Sequence, residues 1–286
     1  MKKFGKIMVI VLALATLVGA CFAFAACNDN DNDGKLIVAT NCEFDPFEYL
    51  DANGNPTGID IDIAYALGEK LGLEVEIRDM AFESVVASVS SGTCDIAMAG
   101  LTVTAERKEA VNFTQTYFSS SQVVIAPAND PILDITYEEG ATEDETEANR
   151  LAAVAKIEEM LNGKRVGTQN GTTGYAYVSG DSDEYEGVAG ATAVGYASGA
   201  LAVAAMLEGT VDYVIIDQVP AQKLVDANSG TAMSGVILTG EDYAYGIAKT
   251  NDALLDKVNA ALDELIADGT IEEIFQKYDL TSGLGE

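Results

Sequence analysis

Twice along this chain a short aliphatic run gives way to an amphipathic stretch and then to another aliphatic run, and that repeated alternation restricts the fold to the α/β class. The first unit opens at KLIVAT. GIDIDIAYALGEKLG then sets Ile59, Ile63, Ala66, Leu67 and Leu71 on one helical stripe that stops at Gly72. LEVEIRDM reads as a strand, Phe82, Val85, Val86 and Val89 recur at helical spacing up to Gly92, and CDIAMAG supplies a third strand. A second unit begins at KRVGTQ, turns at NGTTG into a helical start, and continues through the helix SGALAVAAMLEG to the strand VDYVIID. The helices NDALLDKVNAALDELIADG and TIEEIFQKYD end the chain. Two units predict two lobes, each a mostly parallel sheet flanked by helices, and such sheets bind ligands beyond the carboxyl ends of their strands.

The amino terminus stands apart from this pattern. Lys2, Lys3 and Lys6 precede an uncharged apolar run from Ile7 to Ala26, after which the sequence turns abruptly to NDNDNDG. A basic start, an apolar run and small residues at its end make an export signal, with a single membrane span as the alternative. AFAAC resembles a bacterial lipobox, whose cysteine is diacylated and becomes the new amino terminus; LVGAC fits the same loose pattern. Cys27 is preferred to Cys21 because a soluble tether follows it at once. The signal is then 1–26 and the tether 27–34. The chain is expected on the outer face of the cytoplasmic membrane, held by lipid.

The remaining cysteines, Cys42 and Cys94, fall at opposite ends of their strands, roughly 15 Å apart at about 3.3 Å per residue, too far for a disulfide. With no histidine in the chain, histidine triads and histidine metal sites are excluded. No spacing suggests a metal or cofactor. A net charge of −30 argues against a nucleic-acid partner, since phosphates need clustered cations. The acidic run YEEGATEDETEANR reads as a solvated surface loop leading into a helix from Ala148 to Leu161.

Three features point to a binding site. In TVTAER, a Thr104 cap would leave Arg107 in the first helical turn, where a cation is disfavoured, so either an ion pair with Glu106 or Glu109 or a bound anion must offset it. The NGTTG turn offers free backbone N–H groups to an anion, though an ordinary strand-to-helix turn reads the same way and no phosphate-loop signature is present. Asp217 ends its strand where a ligand-facing residue sits, and it is equally a plain helix cap. Phe44 and Phe82 follow strands and, on position alone, read as core.

The runs CEFDPFEYLDANGNPTGIDIDIAYALGEKLG, AGLTVTAER, VGTQNGTTGYAY and GTVDYVIIDQVPA together resemble the extracytoplasmic solute-binding proteins of polar amino acid ABC transporters, from Lys35 to Leu280. The resemblance implies a two-lobed type II periplasmic-binding-protein fold crossed twice by the chain. Lobe 1 would be 34–121 with 244–286, and lobe 2 would be 122–243. It further implies that Arg107 binds an α-carboxylate with the Thr173 N–H, and that Asp217, the Thr102 hydroxyl and the Gly100 carbonyl hold an α-ammonium. Phe44 and Phe82 would sandwich the ligand side chain, and Asn41 and Gln169 would meet its tail. Both are neutral amides, which favours a neutral polar amino acid; Glu43 keeps lysine, arginine or ornithine open. The expected partners are the amino acid and a transporter permease, and the protein is expected to act as a monomer. A dehydratase or lyase, or a sensor module, is a lesser alternative on the same fold.

Overall fold

The computed structural model describes residues 34–282; the export signal, Cys21 and Cys27 lie outside them. Strand β1 (Lys35–Thr40) is a near-continuous apolar run because both of its faces are covered. Leu36 and Val38 join the packing that includes Ile59, Ile63, Leu67, Leu262 and Phe275, while Ile37 and Ala39 pack with Val85, Val89 and Val111 on the other face. A small antiparallel sheet follows, made of β2 (Glu43–Phe44), β3 (Glu48–Leu50) and β4 (Pro56–Thr57). Helix α1 (Ile59–Leu71) starts after Gly58, whose φ is 126° and where a Cβ would lie 2.3 Å from the Phe47 carbonyl oxygen. Only glycine fits that entry.

The chain continues through β5 (Glu74–Asp79), α2 (Phe82–Ser90), β6 (Ile96–Ala97), α3 (Ala105–Ala110) and β7 (Val111–Phe113). It leaves this lobe along β8 (Phe118–Pro127). After a 3-10 turn at Pro131–Asp134 come α4 (Glu143–Leu161), β9 (Arg165–Gln169), α5 (Thr173–Ser179), β10 (Thr192–Tyr196), α6 (Gly199–Leu207), β11 (Tyr213–Asp217), α7 (Gln218–Ala227) and β12 (Thr231–Met233). Strand β13 (Thr239–Tyr243) brings the chain back to β14 (Gly246–Ala248), α8 (Asp252–Ala267) and α9 (Thr270–Lys277).

The first sheet has the order β5-β1-β6-β14-β7 and the second β10-β9-β11-β8-β12, with β13 paired to β8. In each, the strands of the predicted α/β unit are parallel, and the strands added by the crossing chain are antiparallel. The two crossing strands pair with each other from Thr239↔Gln122 to Tyr243↔Phe118. Asp62 ties α1 to the chain end: Lys277 Nζ and the Tyr278 hydroxyl donate to its Oδ2 at 2.6 and 2.9 Å. Cys42 and Cys94 are free, buried thiols.

Two expectations change. CDIAMAG is a strand only at Ile96–Ala97: Cys94 still belongs to the turn that ends α2, its N–H donating to the Ser88 carbonyl at 3.1 Å, and the backbone bends again at Ala99 and Gly100, where φ is 51°. The acidic run is helical from Glu143 rather than from Ala148: the Thr142 hydroxyl accepts from the Glu145 N–H at 3.2 Å, and Glu143, Asp144 and Glu145 occupy the first turn, where the helix dipole favours anions. Among the described residues no helix is long and apolar enough to cross a membrane.

Candidate functional site

Strand ends of the two sheets and the turns after them enclose one narrow cavity. Asn41, Phe44, Phe82, Ala99, Gly100, Thr102 and Arg107 line it from the first lobe, and Gln169, Thr172, Thr173 and Asp217 from the second. Every ligand-contacting residue expected from the sequence therefore borders the same space. Glu43 does not: it is exposed and lines a neighbouring groove with Tyr49 and Lys223, so the charge invoked to accommodate a basic ligand is misplaced.

Arg107 is positioned by its own backbone. The Thr104 hydroxyl accepts its N–H at 3.1 Å and caps α3. The guanidinium then folds back, Nη1 donating to the Thr102 carbonyl at 2.8 Å and Nη2 to the Gly171 carbonyl at 3.1 Å, with Cζ 5.3 Å from the Phe82 ring centroid. Neither Glu106 nor Glu109 forms an ion pair with it among the described residues, and donors of its five-donor fork remain for an anion. Burial lowers its pKa, while the charges of Glu241 and Asp217 oppose that. Opposite it, the first turn of α5 leaves backbone N–H groups without intrahelical partners, because Thr172 caps Tyr175 at 3.2 Å and the groups of Thr173 and Gly174 precede it.

Asp217 is buried at the end of β11. The Tyr243 hydroxyl donates to its Oδ1 and Gln122 Nε2 to its Oδ2, the latter at 2.8 Å. Burial, and then the charge of Glu241, push its carboxyl up to about 7 despite those two hydrogen bonds. Glu241 is itself buried and accepts the Thr102 hydroxyl at 2.6 Å and the Thr173 hydroxyl at 2.9 Å, both on Oε2. With their protons so committed, the two hydroxyls keep lone pairs for a donor in the cavity; one on Thr173 takes Gln122 Nε2 at 3.2 Å.

Gly100 approaches Phe44 so closely that a Cβ would lie 2.7 Å from its Cε1. Fully buried Asp60 holds this turn, its Oδ2 accepting the Gly100 N–H at 2.9 Å, and burial raises that carboxyl to about 6. At the far end, Gln169 Nε2 donates to Asn41 Oδ1 at 2.7 Å across the lobes, and Asn41 Nδ2 donates to the Met80 carbonyl at 2.8 Å. Asp60, Gln122, Glu241 and Tyr243 escaped the sequence reading. One signal was present in TGEDYAYG, where period-two spacing puts Glu241 on the same strand face as Tyr243, so a carboxylate shares the face of a large ring.

Two α/β lobes joined by paired crossing strands, with an arginine facing an aspartate in the cavity between them, define a solute-binding architecture. An ancestral arginine-binding protein bound to arginine matches it with a TM-score of 0.72 at 32% identity, covering 86% of this chain and 99% of that one. The ABC transporter arginine-binding protein 1 of Escherichia coli (strain K12) is 30% identical over 272 residues, 93% of this chain and 98% of the relative. A probable histidine-binding protein of Neisseria gonorrhoeae is 27% identical over 281 residues, 94% and 95% of the two chains. Residues 36–281 match the bacterial extracellular solute-binding proteins, family 3, and this chain belongs to that family.

Proposed function

We propose that the protein binds a basic L-α-amino acid between its lobes, taken as 34–121 with 244–286 and 122–243, and hands it to an ABC importer. The observation that carries this reading is the charge balance of the cavity. Among the described residues Arg107 is the one cation and Asp217 the one acid that line it, and a second acid, the buried Glu241, lies directly behind the lining hydroxyls of Thr102 and Thr173. Arg107 and the first turn of α5 take the α-carboxylate; Asp217, Thr102 and the Gly100 carbonyl take the α-ammonium. A zwitterion with a neutral side chain leaves one negative charge over, and a cationic side chain cancels it. The neutral polar ligand expected from Asn41 and Gln169 is set aside for the basic alternative, because that expectation counted the two amides and omitted Glu241. The arginine- and histidine-binding relatives support the same choice, and their names support binding rather than turnover.

Calorimetric titration of the soluble domain should show arginine, lysine or ornithine binding more tightly than any neutral amino acid, by roughly tenfold or more for about 1.4 kcal/mol of unmatched charge. Tighter binding of glutamine, serine or another neutral amino acid would restore the neutral reading.

The reading includes acylation of Cys27 and attachment to the outer face of the membrane as a monomer, supported by AFAAC standing directly before NDNDND. Stable anchoring takes more than one acyl chain. Cys27→Ser is therefore expected to release the protein to the medium or to stall its processing. Unchanged attachment with an unchanged amino-terminal mass counts against it, and a mature chain beginning at Cys21 transfers the modification there.

A further inference from the structure

We infer that Glu241, which lies behind the cavity lining at the Thr102 and Thr173 hydroxyls, is a specificity-determining residue, whose charge sets the preference for a ligand of net positive charge and which fixes those hydroxyls as acceptors. The inference rests on the amino-acid-binding reading above. Glu241 sits on β13, one of the two crossing strands, and is 4% exposed. Its carboxylate takes three hydroxyl protons, from Thr102 and Thr173 on Oε2 and from Thr239 on Oε1 at 3.1 Å. It forms no salt bridge among the described residues, so its negative charge is solvated by hydroxyls and is not cancelled by a cation at contact. A buried acid in that state favours cations anywhere in the same low-dielectric space.

The hydrogen bonds around it run in one direction. Gln122 Nε2 donates to Asp217 and to Thr173, and Thr173 and Thr102 donate to Glu241. Thr102 therefore turns oxygen lone pairs toward an incoming ammonium. For a zwitterionic ligand, the attraction of Glu241 for the ammonium and its repulsion of the carboxylate largely offset each other. For a ligand with a further positive charge they do not. Glu241 thus acts on the side-chain charge without belonging to the tail subsite at Asn41 and Gln169.

Glu241→Gln keeps an oxygen where Oε2 stands, removes the charge, and turns only the Thr239 contact from acceptor to donor. Read at about pH 8, above the Asp217 midpoint, its arginine-to-glutamine affinity ratio is expected to fall about tenfold from that of the wild type; the ratio, and neither affinity alone, is the readout. A second readout concerns Asp217, which interacts with Glu241 and Tyr243 on β13, Gln122 and Ser120 on β8, Arg107 on α3, Glu48 on β3 and Tyr185 in the loop after α5. Relief of the Glu241 repulsion should move the midpoint of the affinity-versus-pH curve to lower pH, which a purely structural residue would not do. Glu241→Asp retains the charge, and its affinity ratio should stay close to that of the wild type; because it is read independently, it also serves if Glu241→Gln does not fold. An unchanged ratio and midpoint in Glu241→Gln, or an equal loss of ratio in Glu241→Asp, overturns the inference. A wild type that binds no amino acid overturns instead the reading on which it rests, and a wild type that prefers glutamine still leaves the shift in ratio measurable.

Discussion

Replacing Arg107 with alanine is expected to lower affinity for the cognate amino acid by roughly 30-fold to several thousandfold, the about 2–5 kcal/mol typical of truncating one partner of a buried, hydrogen-bonded ion pair. The loss is large because the charges of Asp217 and Glu241 would then repel the ligand carboxylate with no cation to offset them. Asp217→Asn should cost a similar amount through the stranded ammonium. Arg107→Lys should also bind weakly, since a single ammonium reproduces neither the two carbonyl contacts nor the two-pronged grip on a carboxylate. Ligand at about 100 times its dissociation constant adds about 2.7 kcal/mol to stability, and each variant should lose that increment while its unliganded melting temperature stays near wild type. Decarboxylated or N-acetylated ligand that binds the wild type as well as the intact amino acid does would refute the paired-charge arrangement.

Affinity should also rise steeply with pH. Asp217 must be ionised to receive an ammonium, yet in the unliganded protein burial and the Glu241 charge hold its carboxyl at about 7. The bound ammonium restores ionisation, so the association constant should climb through pH 5–7 by up to a factor of about ten per unit and level off above 7. Binding near pH 6 should release close to one proton, readable from calorimetric enthalpies in buffers of different ionisation heat.

The unliganded fold behaves in the opposite sense. A carboxyl raised above its unfolded value favours the folded state fully below about 4, and that contribution is lost as pH rises through 7. Asp60, raised to about 6, adds to the same trend. The ligand-induced rise in melting temperature should consequently grow with pH, whereas a deaminated analogue should show no such growth. A pH-independent association constant between 5 and 7 would show that Asp217 does not carry the ammonium.

The parts of the cavity legible in the sequence are those fixed by local rules. Thr104 caps three residues before Arg107, NGTTG joins a strand to a helix, and Asp217 ends an apolar strand, so each announces its position within a few residues. That the three share one cavity came from a family resemblance and not from any local pattern. Glu241 and Gln122 carry no local signature because their role depends on the pairing of β8 with β13, two segments more than a hundred residues apart whose register is set in three dimensions. Asp60 was hidden differently: it sits beside the apolar stripe of α1, and its partner, the Gly100 N–H, lies beyond the next two strands. The neutral-ligand expectation rested on the same limit, since a count confined to Asn41, Gln169 and Glu43 could not include a carboxylate delivered by the returning strand.

The position of β14 between β6 and β7 bears on how this chain matures. The first lobe lacks its fourth strand until residues 246–248 arrive, and β7 has no other neighbour in the sheet. The clasp from Lys277 and Tyr278 to Asp62 likewise waits for residues 215 and 216 positions further along the chain. A ribosome that has released only the first half of the protein has therefore released nothing that can close into a finished lobe. Pairings of such long sequence separation form slowly. The first lobe of an exported chain thereby stays open until residues 246–248 have been made, whereas the second, whose strands all lie before residue 244, holds its complete sheet by then.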